Sequence, residues 1–175
     1  MKGGTVMEFL KLLSWENIDV SEGRQNLGGE MPVAVYRLMQ YAIHDELAQQ
    51  YSVEEAQNII RNSGRRVGLI FCNQLIDKSL PLNKFVSELQ RLLKEFKIGI
   101  LRIEQSDPEQ GKFTLTVSED LDCSGLPLLN ETVCHYDEGF ISGILEAYTG
   151  NKFNVVEIDC WATGDRVCRF NAEAI

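Results

Sequence analysis

Residues 154–170, NVVEIDCWATGDRVCRF, decide the fold of the C-terminal part of the chain. Strand-forming residues at 154–161 and 166–170 flank the turn formers at 162–165, and this pattern predicts a β-hairpin. Glu157 and Cys160 are three residues apart, so a regular strand would direct their side chains to opposite faces. We therefore expect a β-bulge near Asp159, or a position for Cys160 beyond the regular ladder.

Helical patterns dominate the chain before this hairpin. Apolar residues recur at helical spacing over residues 32–51, 52–75, 81–96 and 131–148, whereas residues 99–103 and 113–117 read as strands. Ser52, followed by Glu55, has the spacing of a capping box at a helix start. The order is helices first and strands later, with one helix between two strand pairs. It predicts an α+β fold in which helices pack on a small, mostly antiparallel sheet.

Two glycine pairs predict close packing of helices. Gly64 and Gly68 interrupt the second helical pattern, and Gly139 and Gly143 interrupt the fourth. The members of each pair are about one helical turn apart and share one face of the helix. A face without side chains lets another element approach closely, although the first pair is also compatible with a kink.

The length of 175 residues is typical of a single domain. Glycines at 23, 28 and 29 separate an N-terminal arm, residues 1–29, from a body of residues 30–175. Residues 6–13 of the arm have the pattern of a short helix. We predict that the arm is either a frayed end or a contact between subunits of a homodimer.

The charge and hydropathy patterns exclude several classes of partner. The chain has 26 acidic and 17 basic residues and a net charge of −9, which disfavours direct binding to nucleic acids or to acidic membrane surfaces. No apolar run approaches the roughly 18 residues that cross a bilayer, so we expect no membrane insertion. The N-terminal stretch lacks the features of a secretion signal, which predicts a cytoplasmic location.

The five cysteines point away from disulfides, because their number is odd and the expected compartment is reducing. Zinc prefers thiolate, imidazole and carboxylate ligands, and a site with four protein ligands is structural rather than catalytic. A candidate set in the C-terminal third is Cys134, Glu157, Cys160 and Cys168. Such a site would connect the fourth helix to the terminal hairpin. Spacing alone leaves open the alternative that the cysteines are small buried hydrophobes and Glu157 is an outward strand residue.

The stretches 134–140 (CHYDEGF), 156–165 (VEIDCWATGD) and 167–170 (VCRF) together resemble the 4-vinyl-reductase domain. This family includes a protein of bacteriochlorophyll synthesis and the sensory domains of aromatic-responsive transcription activators. The resemblance is specific over residues 131–170, and only the element order agrees over residues 32–118. It implies zinc bound by Cys134, Glu157, Cys160 and Cys168, because the intervening gaps of 22, 2 and 7 residues look like those of the family.

The resemblance also implies a fold and a cavity. The family fold is similar to the ligand-binding domains of nitric-oxide signalling and Golgi-transport proteins, often dimerises and encloses an apolar cavity. Only His44 and Trp15 precede Cys134 as possible counterparts of the His and Trp that hold phenol in the sensors, so we expect a more apolar or aromatic guest. The candidate lining residues, which are otherwise ordinary core, are Phe71, Phe85, Leu89, Leu101, Phe113, Leu115 and Tyr148. His135 is an expected neighbour of the metal rather than a ligand.

Three functions fit these patterns. The first is a stand-alone small-molecule-binding domain with a sensory or regulatory role. The second is an accessory protein or carrier in tetrapyrrole reduction; catalysis by this chain is disfavoured because no dinucleotide fingerprint or cluster-type cysteine run is present. The third is a protein-interaction scaffold like the transport subunits. A closed cavity would favour the sensor, and a large exposed apolar patch without a cavity would favour the scaffold.

Overall fold

Four helices and four strands follow one another in this computed structural model, which describes residue 20 and residues 22–175. The predicted helix at 6–13 lies outside the described residues. The elements are α1 (Val33–Gln50), α2 (Val53–Leu75), α3 (Leu82–Glu95), β1 (Ile100–Asp107), β2 (Lys112–Ser118), α4 (His135–Thr149), β3 (Phe153–Asp159) and β4 (Cys168–Ala174). Among the described helices, none is both long and apolar enough to cross a membrane. The α+β class predicted from the sequence is confirmed.

The four strands form one antiparallel sheet in the order β1-β2-β4-β3. The register of β3 against β4 shifts between Glu157 and Asp159, which confirms the predicted bulge. Cys160 lies beyond the ladder, where it begins a short 3-10 helix, Trp161–Thr163. This irregular connection lets Cys160 and Cys168, at the start of β4, approach each other, although a simple hairpin turn was predicted there.

The predicted glycine contact joins α2 to α4. A Cβ atom at Gly64 or Gly68 would collide with the backbone of Tyr136 or Phe140, and one at Gly139 or Gly143 would collide with the backbone of α2. The two helices therefore touch through their main chains along one face of each, and neither glycine of a pair has room for a methyl group.

Helix α4 starts four residues later than the pattern predicted. The N–H groups of Leu129 and Asn130 donate to the carbonyl oxygen of Ala162 at 2.8 Å and 3.2 Å, and these bonds hold the preceding segment against the β3–β4 connection. Asn130 also has a φ of 60°, which interrupts a regular helix. The helix therefore begins after Cys134, and it ends as predicted at Gly150, whose φ is 82°.

Candidate metal centre and adjoining cavity

Four cysteine sulfurs meet where α4, the β3–β4 connection and the loop after β2 come together. The Sγ atom of Cys134 lies 3.8 Å from those of Cys160 and Cys168, and the Sγ atoms of Cys123 and Cys168 are 3.1 Å apart. All four sulfurs lie within 4.8 Å of one another. Zinc bound to four thiolates at about 2.3 Å would hold its sulfurs about 3.8 Å apart, so the geometry fits a tetrahedral ion.

Cys134, Cys160 and Cys168 belong to the predicted ligand set, but Cys123 was missed. The sequence places it in an irregular segment 11 residues before Cys134, without a Cys-x-x-Cys pair to indicate a metal site. The signal that could have found it is local. Asp120 Oδ1 accepts hydrogen bonds from the N–H groups of Asp122 and Cys123, at 2.8 Å and 3.2 Å, which makes a tight turn that directs the Cys123 side chain inward.

Glu157, the other predicted ligand, lies beside the cluster. Its Oε2 accepts the N–H of Cys134 at 3.0 Å, and its Oε1 is buried without a hydrogen-bond partner among the described residues. Burial, and then the charge of Cys160, raise the pKa of Glu157 to about 8. A buried oxygen without a donor is costly unless a cation or a proton satisfies it. Glu157 is therefore a second candidate for the fourth ligand position.

The protonation of the cluster favours a cation as well. Hydrogen bonds from the thiols of Cys123, Cys134 and Cys168 lower the pKa of Cys160, while the pKa of Cys134 is raised, first by its hydrogen bond with Cys123. The metal-free cluster thus concentrates its negative charge on one sulfur. A bound divalent ion would stabilise the other three thiolates and displace their protons.

His135 and Glu138 stand behind the cluster rather than in it. His135 Nδ1 lies 3.3 Å from Glu138 Oε2, and Arg61 Nε donates to the same oxygen at 2.8 Å. Glu138 Oε1 in turn accepts the N–H of Glu157 at 2.8 Å. Burial raises the pKa of Glu138, but the bonds from His135, Glu157 and Arg61 outweigh burial and lower it. This network positions β3 against α4 next to the sulfurs.

A cavity of about 440 Å³ opens between α3, α4 and the sheet. Its volume lies within the range of about 300–1,000 Å³ that is usual for small-molecule sites. One face of α3 forms a wall, β1 and β2 supply the floor, and α4 closes the opposite side. The apolar wall consists of Leu82, Phe85, Val86, Leu89, Leu93, Ile98, Leu101, Ile103, Phe113, Leu115, Val117, Phe140, Ile141, Ile144 and Leu145.

Five of the seven predicted lining residues come together on this wall, namely Phe85, Leu89, Leu101, Phe113 and Leu115. The other two lie behind it. Phe71 packs edge-on against Phe140, with ring centroids 5.3 Å apart. Tyr148 stacks on the ring of Phe85 at 3.9 Å and donates its hydroxyl to Leu80 O at 3.0 Å. These two aromatic residues support the wall and do not face the cavity.

The cavity also has a polar end that the sequence did not indicate. Asp120, from the loop after β2, and Asp137, from the first turn of α4, both line it. Their carboxyl oxygens and the Cys134 sulfur lie within 4.8 Å of one another, so the cavity ends against the cysteine cluster. Burial raises the pKa of Asp120 to about 7 and raises that of Asp137 well above its usual range.

The loop after β2 reaches three neighbouring parts of the molecule with four consecutive residues. Asp120 lines the cavity, and Cys123 joins the sulfur cluster. Between them, Asp122 accepts hydrogen bonds from Tyr36 and Gln40 of α1, at 2.9 Å and 2.8 Å. Helix α1 is therefore attached to the same short segment as the cavity and the cluster.

Comparison with known proteins agrees with this architecture. The family model of the vinyl-4-reductase domain matches residues 113–174, which confirms the resemblance seen in the sequence. A vinyl-4-reductase family protein from Methanocaldococcus jannaschii has a similar crystal structure, with a TM-score of 0.62 and 16% identity over 98% of this chain and 99% of that chain.

Two further structures share the fold. The phenol-responsive sensory domain of the transcription activator PoxR, solved with phenol, has a TM-score of 0.61 and 15% identity over 85% of this chain and 78% of that chain. Subunit 3 of a trafficking protein particle complex from Naegleria fowleri, covalently bound to palmitic acid, has a TM-score of 0.64 and 11% identity over 82% of this chain and 95% of that chain. At these identities the likeness concerns the fold alone.

Proposed function

Residues 113–174 form a domain of the vinyl-4-reductase family, and from that premise we propose that the chain is a small-molecule-binding domain with a sensory or regulatory role. The observation that carries the proposal is the apolar cavity between α3, α4 and the sheet. Two proteins of the same fold are described with small molecules bound, phenol in one and palmitic acid in the other. The ligand of this chain is a predominantly hydrophobic or aromatic molecule, because hydrophobic side chains make up most of the wall.

The cavity proposal is tested by native mass spectrometry of the purified protein, followed by calorimetric titration with hydrophobic probes. A co-purified small molecule, or saturable binding of one probe per chain, supports the proposal. The matched variants are Leu115→Trp, which fills the cavity from the sheet, and Thr114→Trp, one residue earlier on β2 and not on the cavity wall. Loss of binding in both variants or in neither would contradict a site in this cavity.

The cysteine cluster is proposed to hold a structural zinc ion. Cys134, Cys160 and Cys168 are three of its ligands, and two donors compete for the fourth position. Glu157 is the ligand that the family resemblance implies, and its Oε1 has no other partner among the described residues. Cys123 has its sulfur within the cluster already. We favour Cys123, because four thiolates fill the tetrahedron while Glu157 Oε2 keeps its bond to the Cys134 N–H.

Metal analysis and X-ray absorption of the zinc-loaded protein test this assignment. Four sulfurs at about 2.3 Å would support Cys123, and three sulfurs with one oxygen at about 2.0–2.2 Å would support Glu157. The paired variants are Cys123→Ser and Glu157→Gln, of which only the variant of the true ligand weakens zinc binding strongly. A protein that binds no zinc under reducing conditions would refute the metal proposal altogether.

A homodimer remains a prediction. The outer side of α1 exposes apolar residues, among them Leu38 at 73%, Met39 at 56% and Ile43 at 50%. We propose this side of α1 as the contact surface between two copies. Analytical ultracentrifugation of the wild-type chain and of Leu38→Glu is the test: a wild-type monomer, or a dimer that persists in the variant, would overturn the proposal.

The second candidate function is a carrier in tetrapyrrole reduction, and the same cavity supports it. Titration with a porphyrin, in parallel with simple aromatic and aliphatic probes, separates the two functions. Selective binding of the porphyrin would favour the carrier. Binding of the smaller probes alone would favour the sensor.

A further inference from the structure

We propose that the cavity selects a lipophilic amine, a molecule with one hydrophobic body and one protonated amino group that binds at Asp120 and Asp137. The proposal rests on the ligand-binding function argued above and specifies the chemical class of the ligand.

The first argument is an oxygen that lacks a partner. Asp137 is 9% exposed, lines the cavity, and its Oδ2 accepts no hydrogen bond among the described residues. The other Asp137 oxygen can share a proton with Asp120. Oδ2 then remains an acceptor whether that proton is present or not. A ligand that satisfies it must donate a hydrogen bond.

The second argument is that other polar groups on the wall are already engaged. Gln90 donates to Leu101 O at 3.1 Å, and Asn83 Oδ1 accepts the N–H of Lys84 at 2.9 Å. Asp120 Oδ1 accepts two backbone N–H groups in its own loop. Asp137 is thus the wall residue with a buried oxygen left unpaired, and it fixes where the donor of the ligand lies.

The third argument is the sign of the charge. The wall contains two acidic side chains and no lysine, arginine or histidine among the described residues. The nearby base Arg37 donates to the backbone oxygens of Leu121 and Asp120, at 2.7 Å and 3.3 Å, rather than to the carboxyl groups. A carboxylate in an apolar enclosure attracts a cationic donor more strongly than a neutral one and repels an anion. The same cavity should therefore exclude fatty acids.

Calorimetric titration of the zinc-supplemented full chain with decylamine, 1-decanol and decanoate tests the proposal, because the three probes share a chain and differ only in the head group. We expect decylamine to bind about tenfold or more tightly than decanol, and decanoate to bind most weakly. Equal binding of amine and alcohol, or preferred binding of decanoate, would overturn the proposal while leaving a hydrophobic site in place. No binding by any of the three would instead refute the function on which the proposal rests.

The matched variants are Asp137→Asn, which keeps the size of the side chain, and Glu109→Gln, which removes the same charge from an exposed turn. Asp137→Asn should weaken decylamine binding about 30-fold or more and change decanol binding little, whereas Glu109→Gln should change neither. Zinc content and the unfolding midpoint of each variant report whether it is folded. If Asp137→Asn prevents folding, Asp120→Asn takes its place. A folded variant that keeps the amine preference would contradict the assigned carboxyl pair.

Discussion

On the side of α4 that meets α2, main chain contacts main chain, and each acidic side chain has a base. Gly139 and Gly143 leave no room for a methyl group, Arg61 donates to Glu138 at 2.8 Å, and Arg65 donates to Glu146 at 2.7 Å. On the side that meets α3 and the sheet, the same helix borders a cavity of about 440 Å³, and Asp137 keeps an unpaired oxygen.

The difference between these two faces separates structural requirements from functional ones. A face that is closely packed and fully paired contributes stability and offers nothing to a ligand. A face with unfilled volume and an unsatisfied acceptor costs stability, and such a cost is typical of a site that a ligand completes. The following predictions test this contrast, beginning with the largest expected effect.

Removal of zinc should affect both faces, because Cys134 stands at the start of α4. With free zinc at about 1,000 times its dissociation constant, binding stabilises the folded chain by about 4 kcal/mol. Chelation should lower the free energy of unfolding in urea by about that amount. The control is the double variant Cys134→Ala/Cys160→Ala, which should show no further loss on chelation. Identical unfolding curves with and without chelator would contradict a structural metal.

Gly139→Ala should be the most damaging single methyl group on the packed face. Its Cβ would collide with backbone atoms of Arg61 and Arg65, which cannot move without separating α2 from α4. We expect a loss of about 3 kcal/mol, at the upper end of overpacking costs, in urea unfolding. Gly23→Ala is the control, because nothing lies within 4 Å of its Cβ position. A folded Gly139→Ala variant as stable as Gly23→Ala would disprove the close contact.

The metal-free protein should lose stability as the pH rises from 5 to 7. The pKa values of Asp120 and Glu157 are about 7 and about 8 in the folded chain, compared with ordinary values of 3.8 and 4.5. The folded state therefore holds protons that the unfolded state has released. The stabilising effect is complete below the ordinary values and is lost as the pH rises to the folded ones.

We expect a decrease of about 2 kcal/mol in the free energy of unfolding over this interval, measured by urea titration at each pH. Asp120→Asn should flatten the dependence, because one of the two groups is then absent. Stability that rises with pH in the metal-free wild type would show that these carboxyl groups are paired with a cation in the folded chain.

Leu145→Phe, on the cavity face of the same helix, should have the smallest effect on stability. Leu145 lines the cavity, so the larger ring can enter space that is already present. The free energy of unfolding should change by less than about 1 kcal/mol, while binding of hydrophobic probes weakens. A loss as large as that of Gly139→Ala would mean that the two faces are equally tight and that the contrast between them is false.

The sequence predicted the fold through local signals. Glycines at one-turn spacing identified the contact between α2 and α4, and the three-residue gap from Glu157 to Cys160 identified the bulge. Both features depend on residues close together in the chain, where backbone geometry is the main constraint. The start of α4 was misplaced because bonds from Leu129 and Asn130 to the distant Ala162 define it.

The candidate site was less accessible to sequence reasoning. Three cysteines at recognisable spacing were identified, but Cys123 joins them through a tertiary turn. The apolar wall could be approximated from hydrophobic patterns, yet Phe71 and Tyr148 could not be distinguished from true lining residues. Asp120 and Asp137 were missed because a buried acid looks like a surface acid in sequence, and only packing reveals which acid is enclosed.

The segment that carries Asp120, Asp122 and Cys123 places three contacts on one short piece of backbone. Its first side chain borders the cavity, its last belongs to the sulfur cluster, and the middle one holds Tyr36 and Gln40 of the outermost described helix. With the cluster as a fixed anchor, any shift of this segment caused by a guest pivots about Cys123 and pulls on α1. The interior of the molecule thus has a direct mechanical link to its exposed apolar exterior.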